Sequence, residues 1–184
     1  MRKRTCVVNN ASLFEYDNVA RFTPDHLLRA MRTNAAAPVM LARSLHEHLA
    51  HDAHGVVINL LDQKLENPNP DFLSYTLSKA ALKEATRLLA IALAPKVRVV
   101  GIAPGITLAS NLQSDMGFAE AHRRTPLGQS STPQDVAQAA VYLANAGAVT
   151  GTILLVDGGQ HLVPSSRDVM FATEPQLDQD GGKQ

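Results

Sequence analysis

The sequence predicts an α/β fold with a doubly wound, mainly parallel sheet. Four short runs of apolar and β-branched residues are nearly continuous, at residues 5–8, 56–61, 97–102 and 153–156. Such runs are typical of strands that are buried on both faces. Helical patterns separate the runs, and strands that alternate with helices of this length are joined by right-handed crossovers into a parallel sheet.

The helical patterns have recognisable ends. Thr23 and Thr132 occupy N-cap positions, and Pro24 and Pro133 follow them at the first helical position. Pro95 stops the longest apolar periodicity of the chain. These signals predict helices over residues 24–49, 71 or 72 to 94, and 132–144, with a weaker helical pattern over residues 115–122.

Length and composition indicate a single globular domain. The chain has 184 residues, of which 45% are hydrophobic and 18% charged, as in an ordinary globular protein. We assign residues 1–163 to this domain. Residues 164–184 are polar and lack periodicity, so we expect them to form a flexible C-terminal tail.

Charge and leader patterns limit the expected partners. Seventeen basic and seventeen acidic side chains cancel, and no basic stripe interleaves with aromatic residues, so we expect neither nucleic acid nor a membrane as partner. The N-terminus lacks the apolar segment of a signal peptide. We therefore expect a cytoplasmic protein whose one cysteine, Cys6, is a buried thiol. The histidines lack an acidic partner pattern, so no metal site is expected.

Tyr75 and Lys79 are the most informative pair in the chain. They are four residues apart in the predicted helix and therefore project from the same helical face. A cation close to a phenol favours the phenolate and lowers the pKa of the phenol. The pair is thus suited to donate a proton to a carbonyl or imine that is being reduced. Asp62, thirteen residues before Tyr75, is a candidate third member of the site.

Several motifs together resemble the short-chain dehydrogenase/reductase family. They occur in that family's order over residues 5–162: Asn9-Asn10-Ala11-Ser12, Asn34, Tyr75-x-x-x-Lys79, Pro104-Gly105, Thr150-Gly151 and Asp157-Gly158-Gly159. The chain resembles the C-terminal portion of such a domain, which implies a partial Rossmann-like sheet. It also implies a nicotinamide cofactor and a small-molecule substrate.

The resemblance assigns roles to individual residues. Asn34 extends a proton relay to the lysine through a held water. The side chain of Ser12 and that of Leu108 contact substrate. The implied cofactor-binding residues are Asn9, Ala11, Tyr75, Lys79, Pro104, Gly105 and Ile106. From the residues alone, Asn9 and Asn10 also fit a pair that stabilises a turn, and Pro104-Gly105 also fits an ordinary turn.

Asp62 departs from the family pattern. It stands where an Ile-Asn-x-Ser-Ser pattern usually supplies a serine that donates a hydrogen bond to the substrate carbonyl. An ionised carboxylate donates no hydrogen bond and opposes negative charge on a carbonyl oxygen. This exchange is similar to that in pteridine and dihydromonapterin reductases, which reduce C=N bonds. It implies NADP(H) as cofactor, without excluding NAD(H), and catalytic roles for Tyr75, Lys79, Asp62 and Asn34.

Family members begin with a glycine-rich turn that binds the cofactor pyrophosphate, and this sequence contains no such turn. Two hypotheses follow: a working reductase whose start lies further upstream, or a truncated, non-catalytic remnant. Among working enzymes, a reductase of 3-oxoacyl or steroid-type carbonyls is the alternative to a pterin-like substrate. The resemblance further implies a homo-oligomer, formed through the helices over residues 24–49 and 72–94.

Overall fold

Within the part of the chain that the structure describes, the sheet has four parallel strands in the order β1-β2-β3-β4. The computed structural model describes residues 4–109 and 113–173. The strands are β1 (Arg4–Asn9), β2 (His54–Leu60), β3 (Val97–Pro104) and β4 (Ile153–Val156). Each predicted strand is present, and the predicted α/β, Rossmann-like fold is confirmed.

Helices cover the sheet and frame its ends. The α-helices are α1 (Pro24–Met31), α2 (Ala37–His48), α3 (Leu73–Ala92), α4 (Asp115–Arg123), α5 (Pro133–Asn145) and α6 (Val169–Thr173). A π-helical turn, Arg32–Ala36, joins α1 to α2, and short 3-10 turns span Gln63–Leu65 and Gln160–Leu162. Within the described ranges, none of the helices has the length and apolar character required to cross a bilayer.

The core lies on both faces of the sheet, and β2 shows why. Its side chains alternate between faces, as in any strand. Val57 packs with Ala42 of α2 and Ala90 of α3 on one face, whereas Val56 and Ile58 pack with the α5 side on the other. This two-sided burial explains why the strand sequences are continuously apolar.

Cys6 is exposed, so the expectation of a buried thiol is wrong. It lies on β1, which pairs only with β2 among the described strands. Val8 of the same strand is also exposed. A strand at the edge of a sheet has fewer neighbours to cover its side chains, which the local sequence does not reveal.

The predicted helix over residues 24–49 is interrupted by the π-helical turn. Pro38 has no N–H to donate to the carbonyl of Asn34, so the regular hydrogen bond at that point is missing. Instead, the N–H of Ala37 donates to the carbonyl of Arg32, five residues earlier. π-turns of this kind often accompany functional side chains, and Asn34 lies inside this one.

The long helix α3 begins at Leu73 because Phe72 adopts a left-handed conformation with φ of 55°. The helix has no local side-chain cap. Asp17, 57 residues away, supplies the cap: its Oδ1 accepts from the N–H of Ser74 at 2.9 Å, and its carbonyl accepts from the N–H of Leu73 at 3.3 Å. This remote cap fixes the helix that carries Tyr75 and Lys79.

Residues 164–173 pack against the domain, which corrects the predicted tail over that stretch. Met170 and Phe171 are buried in a cluster with Phe72 and Tyr75. The guanidinium of Arg167 forms a bidentate pair with Asp71, with Nε to Oδ2 at 2.9 Å and Nη2 to Oδ1 at 3.0 Å. We call residues 164–173 the strap. The rest of the predicted tail lies outside the described residues.

Asp71→Asn is expected to lower the free energy of unfolding by about 1–3 kcal/mol, because hydrogen bonds to charged groups are worth about that much. Asp71 is buried and accepts from both Arg167 and the N–H of Asp168. Chemical denaturation measures the change. The control Glu47→Gln breaks the exposed pair with Arg43 and is expected to leave stability nearly unchanged, because exposed ion pairs contribute little. Equal effects from the two variants would contradict the proposed anchoring of the strap.

Candidate active site

The site lies where β2 and β3 end and α3 begins. Asp62 follows the C-terminal end of β2, and Tyr75 lies in the first turn of α3. Open parallel sheets place ligands beyond the carboxyl ends of their strands. Asp62 and Tyr75 both line a pocket of about 440 Å³ at this end of the sheet.

Asp62 and Tyr75 are in direct contact. The hydroxyl of Tyr75 donates to Oδ2 of Asp62 at 2.6 Å, and the N–H of Lys64 donates to Oδ1 at 2.8 Å. Protein surrounds the carboxyl except where it faces the pocket. Burial therefore raises the pKa of Asp62, and the hydrogen bonds from Tyr75 and Lys64 oppose that rise. The carboxyl holds its proton at higher pH than an ordinary aspartate.

Lys79 lies behind the tyrosine. Its ammonium Nζ donates to the carbonyl of Leu60 at 2.7 Å and lies 5.7 Å from the centre of the Tyr75 ring. The residue is only 3% exposed. Burial lowers its pKa to about 8, against a smaller opposing effect of the Asp62 carboxylate. An ammonium has three donors, and among the described residues only the carbonyl of Leu60 accepts from it.

The pKa of Tyr75 is raised well above its usual value, whereas the sequence predicted that the lysine lowers it. Burial is the largest cause, and the charge of Asp62 and its hydrogen bond add to it. The hydrogen bond from the phenol goes to the carboxylate, which favours the protonated phenol. In this arrangement the phenol keeps its proton and can donate it, and the hydrogen bond to Asp62 fixes the orientation of the phenol.

Both the oxygen and the nitrogen of the Asn34 side-chain amide form hydrogen bonds. Its Oδ1 accepts from the N–H of Leu13 at 2.7 Å, and its Nδ2 donates to the carbonyl of Leu13 and to the hydroxyl of Ser78, both at 2.9 Å. Ser78 in turn donates to the carbonyl of Tyr75 at 2.6 Å. Asn34 thus joins the π-turn, the loop after β1 and α3. Its predicted role in a water relay stays a prediction.

Asn9 ties neighbouring strands together. Its Nδ2 donates to Oδ1 of Asn59 at 2.7 Å, and Asn59 donates to the hydroxyl of Thr86 at 2.9 Å. The Oδ1 of Asn9 is buried and has no hydrogen-bond partner among the described residues. Ala11 is exposed just beyond. An unpaired amide oxygen beside open surface fits a residue that meets the hydroxyls of a cofactor ribose.

The turn after β3 approaches its neighbours closely. A side chain at Gly105 would collide with Ser130 and Gln160, so this position requires glycine. The N–H of Ile106 donates to Oε1 of Gln160 at 3.0 Å. Gly105 and Ile106 line the pocket, and Pro104 ends the strand before them. The turn therefore presents a fixed wall, as a flat nicotinamide requires.

Of the two predicted substrate contacts besides Asp62, Leu108 lies at the pocket and Ser12 does not. The hydroxyl of Ser12 donates to Oδ1 of Asn34 at 3.3 Å, and Ser12 is exposed. Leu108 is exposed and lines the pocket. The structure brings Leu108, Asp62 and Tyr75 to one pocket, and Ser12 does not line that pocket.

Phe14 is a site residue that the sequence did not indicate. Its ring stacks on Phe72 with centroids 4.2 Å apart and meets Tyr75 edge to face at 4.7 Å. The side chain lines the pocket but stays 46% exposed. Its position four residues after Asn10, beyond the strand end, was the available signal. The strap residues Arg167 and Asp168, which also line the pocket, had no sequence signal.

The stability contribution of Lys79 is expected to depend on pH. Its folded pKa of about 8 lies below its ordinary 10.5, so the unfolded chain binds more protons between these values. Stability therefore rises with pH in that window. Relative to Lys79→Met, the wild type is expected to gain about 3 kcal/mol between pH 8 and pH 10.5. Denaturation across pH measures this, with the half-exposed Lys83→Met as control; a flat difference would contradict it.

The Asp62–Tyr75–Lys79 grouping lies at the carboxyl end of a Rossmann-like parallel sheet. A family model described as enoyl-(acyl carrier protein) reductase matches residues 2–161. The chain belongs to the short-chain dehydrogenase/reductase family of NAD(P)(H)-dependent oxidoreductases.

Known relatives agree with this assignment. The chain is 34% identical over 167 residues to 4-formylbenzenesulfonate dehydrogenase TsaC1/TsaC2 of Comamonas testosteroni, covering 85% of this chain and 66% of the relative. A solved structure of FolM alternative dihydrofolate reductase 1 from Brucella suis, in complex with NADP, has a TM-score of 0.84 at 39% identity. That match covers 89% of this chain and 66% of the other.

A second solved structure represents a different substrate class. It is 3-ketoacyl-(acyl-carrier-protein) reductase from Brucella melitensis complexed with NADH, with a TM-score of 0.73 at 28% identity. It covers 85% of this chain and 67% of the other. The chain spans no more than 66% of the length of the curated relatives that head the comparison.

Proposed function

We propose that this chain is the catalytic portion of an NADP(H)-dependent reductase of C=N bonds in pterin-like substrates. The observation that carries the proposal is the contact between Asp62 and Tyr75 in the pocket, with Oδ2 and the hydroxyl 2.6 Å apart. A carboxyl occupies the place where a carbonyl reductase of this family has a neutral serine. A carboxyl at this position suits a substrate atom that accepts a proton, such as the nitrogen of a C=N bond.

The chemistry of the carboxyl favours nitrogen over oxygen. Reduction of C=N adds two electrons and a proton at carbon, and a second proton at nitrogen. Because burial raises the pKa of Asp62, the carboxyl can hold that second proton near neutral pH. A carboxylate beside a carbonyl oxygen would instead oppose the negative charge that develops there.

The ring of Phe14 supports a flat substrate. The ring lines the pocket and is 46% exposed, and Phe72 and Tyr75 fix its orientation. Aromatic rings stack favourably on offset planar rings. The likeness to FolM alternative dihydrofolate reductase 1, a structure that contains NADP, supports both a heterocyclic substrate and NADP(H).

The residues divide the reaction between them. The turn after β3, with Gly105 and Ile106, would hold the nicotinamide, which would supply the two electrons. Lys79 binds the ribose with the donors that the carbonyl of Leu60 leaves free. Asp62 protonates or orients the substrate nitrogen. Tyr75, whose hydroxyl donates to Oδ2 of Asp62, then returns a proton to that carboxylate. Asn34 fixes the backbone around Tyr75 through Ser78.

NADPH consumption with 7,8-dihydrobiopterin or dihydrofolate, by the chain joined to an upstream segment that carries the glycine-rich turn, tests the proposal. The absorbance of NADPH is expected to fall with either substrate and to stay constant with an acetoacetyl thioester. Turnover of the thioester alone would overturn the pterin assignment. It would favour the second candidate, a 3-oxoacyl reductase, which the likeness to 3-ketoacyl-(acyl-carrier-protein) reductase supports.

Titration of the 184-residue chain with NADPH tests the third candidate, a non-catalytic remnant. Micromolar binding would contradict the expectation that a glycine-rich turn is needed for affinity. Absence of binding, together with absence of turnover, would favour the remnant. The homo-oligomer, the cytoplasmic location and the small-molecule partner inferred from the sequence remain proposals as well; size-exclusion chromatography with light scattering tests the first of them.

A further inference from the structure

Two glutamine side chains in the pocket have buried atoms without partners. The Oε1 of Gln63 and the Nε2 of Gln113 are inaccessible to solvent and have no hydrogen-bond partner among the described residues. Both residues line the same pocket as Asp62 and Tyr75. The mechanism above uses neither of them.

Buried polar atoms in folded proteins are almost always paired, because an unpaired one loses its hydrogen bonds to water without replacement. Gln160 shows the ordinary situation in this pocket. Its Oε1 accepts from the N–H of Ile106 at 3.0 Å and from the hydroxyl of Ser130 at 3.3 Å. Gln63 and Gln113 therefore differ from a glutamine that serves the fold.

The chain holds Gln63 beside the reacting groups. Gln63 is the first residue of the 3-10 turn that Asp62 caps by accepting from the N–H of Lys64. Gln113 reaches the pocket from a separate segment, directly before Ser114, the N-cap of α4. Ser114 accepts from the N–H of Gly117 at 3.0 Å, which fixes that helix start. Two amides from different elements thus meet at one pocket.

We propose that Gln63 and Gln113 bind the cyclic amide edge of the heterocyclic substrate; this inference rests on the proposed function. The Oε1 of Gln63 accepts from a ring N–H or amino group, and the Nε2 of Gln113 donates to a ring carbonyl. An amide pairs well with another amide because each offers one donor and one acceptor side. Simple ketones and acyl thioesters lack a ring N–H and leave Gln63 unpaired.

The test is pterin binding by Gln63→Met and Gln113→Met, which keep side-chain length and remove the amide. Each variant is expected to bind pterin about tenfold more weakly, the loss typical of one or two neutral hydrogen bonds. The chain contains no tryptophan, so quenching of the ligand's own fluorescence reports binding directly, in the presence of NADP⁺. Unsubstituted pteridine lacks the amide edge, and its affinity is expected to stay unchanged.

Stability distinguishes a ligand-binding role from a structural one. Gln63→Met and Gln113→Met remove no hydrogen bond of the free protein and are expected to keep the denaturation midpoint of the wild type. Gln160→Met is the matched control, and its midpoint is expected to fall because two hydrogen bonds are lost.

Three results would overturn the inference. Unchanged pterin affinity in both variants would remove the glutamines from recognition and leave the proposed reductase standing. A loss of stability equal to that of Gln160→Met would assign them to the fold. Failure of the wild type to bind pterin at all would overturn the inference together with the pterin-reductase proposal.

Discussion

In the chain joined to an upstream glycine-rich segment, Tyr75→Phe is expected to reduce NADPH-dependent turnover by about 10²- to 10⁴-fold, the usual contribution of a positioned proton donor. The phenol is the only group among the described residues whose side chain donates to Oδ2 of Asp62. Phenylalanine keeps the ring contacts with Phe14 and Phe72 and removes only the hydroxyl. The free energy of unfolding is expected to fall by no more than about 1.5 kcal/mol, since one hydrogen bond is lost.

Initial rates and chemical denaturation together check this prediction. Tyr142→Phe is the matched control, because Tyr142 lies exposed on α5, away from the pocket. Its turnover is expected to equal that of the wild type. Full turnover by Tyr75→Phe would remove the phenol from the mechanism.

Asp62→Ser is expected to shift the substrate preference from C=N bonds to carbonyl groups. Serine restores the neutral donor of the family pattern, so reduction of an acetoacetyl thioester is expected to appear or to rise. Turnover of the C=N substrate is expected to fall by about 10²-fold or more, because the variant has no acid that holds a proton for nitrogen. Paired assays with NADPH and the two substrates measure the ratio.

The pH profile adds a second readout for Asp62. The protonated carboxyl is the form that donates, so turnover of the C=N substrate is expected to decline as pH rises through the elevated pKa of Asp62. In Asp62→Ser that decline is expected to disappear. Asp52→Ser, at an exposed turn before β2, serves as control. An unchanged profile and an unchanged substrate ratio in Asp62→Ser would refute the assigned role.

The elements of the fold were predictable because their signals are local. Apolar runs gave all four strands within two residues, and Thr-Pro pairs placed the starts of α1 and α5. The start of α3 was less accurate. Its cap is Asp17, a residue distant in sequence, and no pattern near Phe72 announces it.

The grouping of Asp62, Tyr75 and Lys79 was predicted in part from helical spacing and in part from family resemblance. Their electrostatics were not. The raised pKa of Tyr75 results from burial and from the carboxylate 2.6 Å away, and both depend on how β2 and α3 pack. The spacing of residues along a helix predicts which side chains are neighbours, but it does not predict how far each ionisable group is removed from water.

By itself, the sequence determined the strands, the helices and the candidate proton-donating pair, because periodicity, capping and side-chain chemistry are properties of short segments. Only the tertiary structure decided that residues 164–173 form a strap that lines the pocket, that Phe14 packs on Tyr75 at that pocket, and that one amide atom of Gln63 and one of Gln113 are buried without a partner. These features depend on contacts between segments as many as 104 residues apart. Burial and pairing arise only when such segments meet.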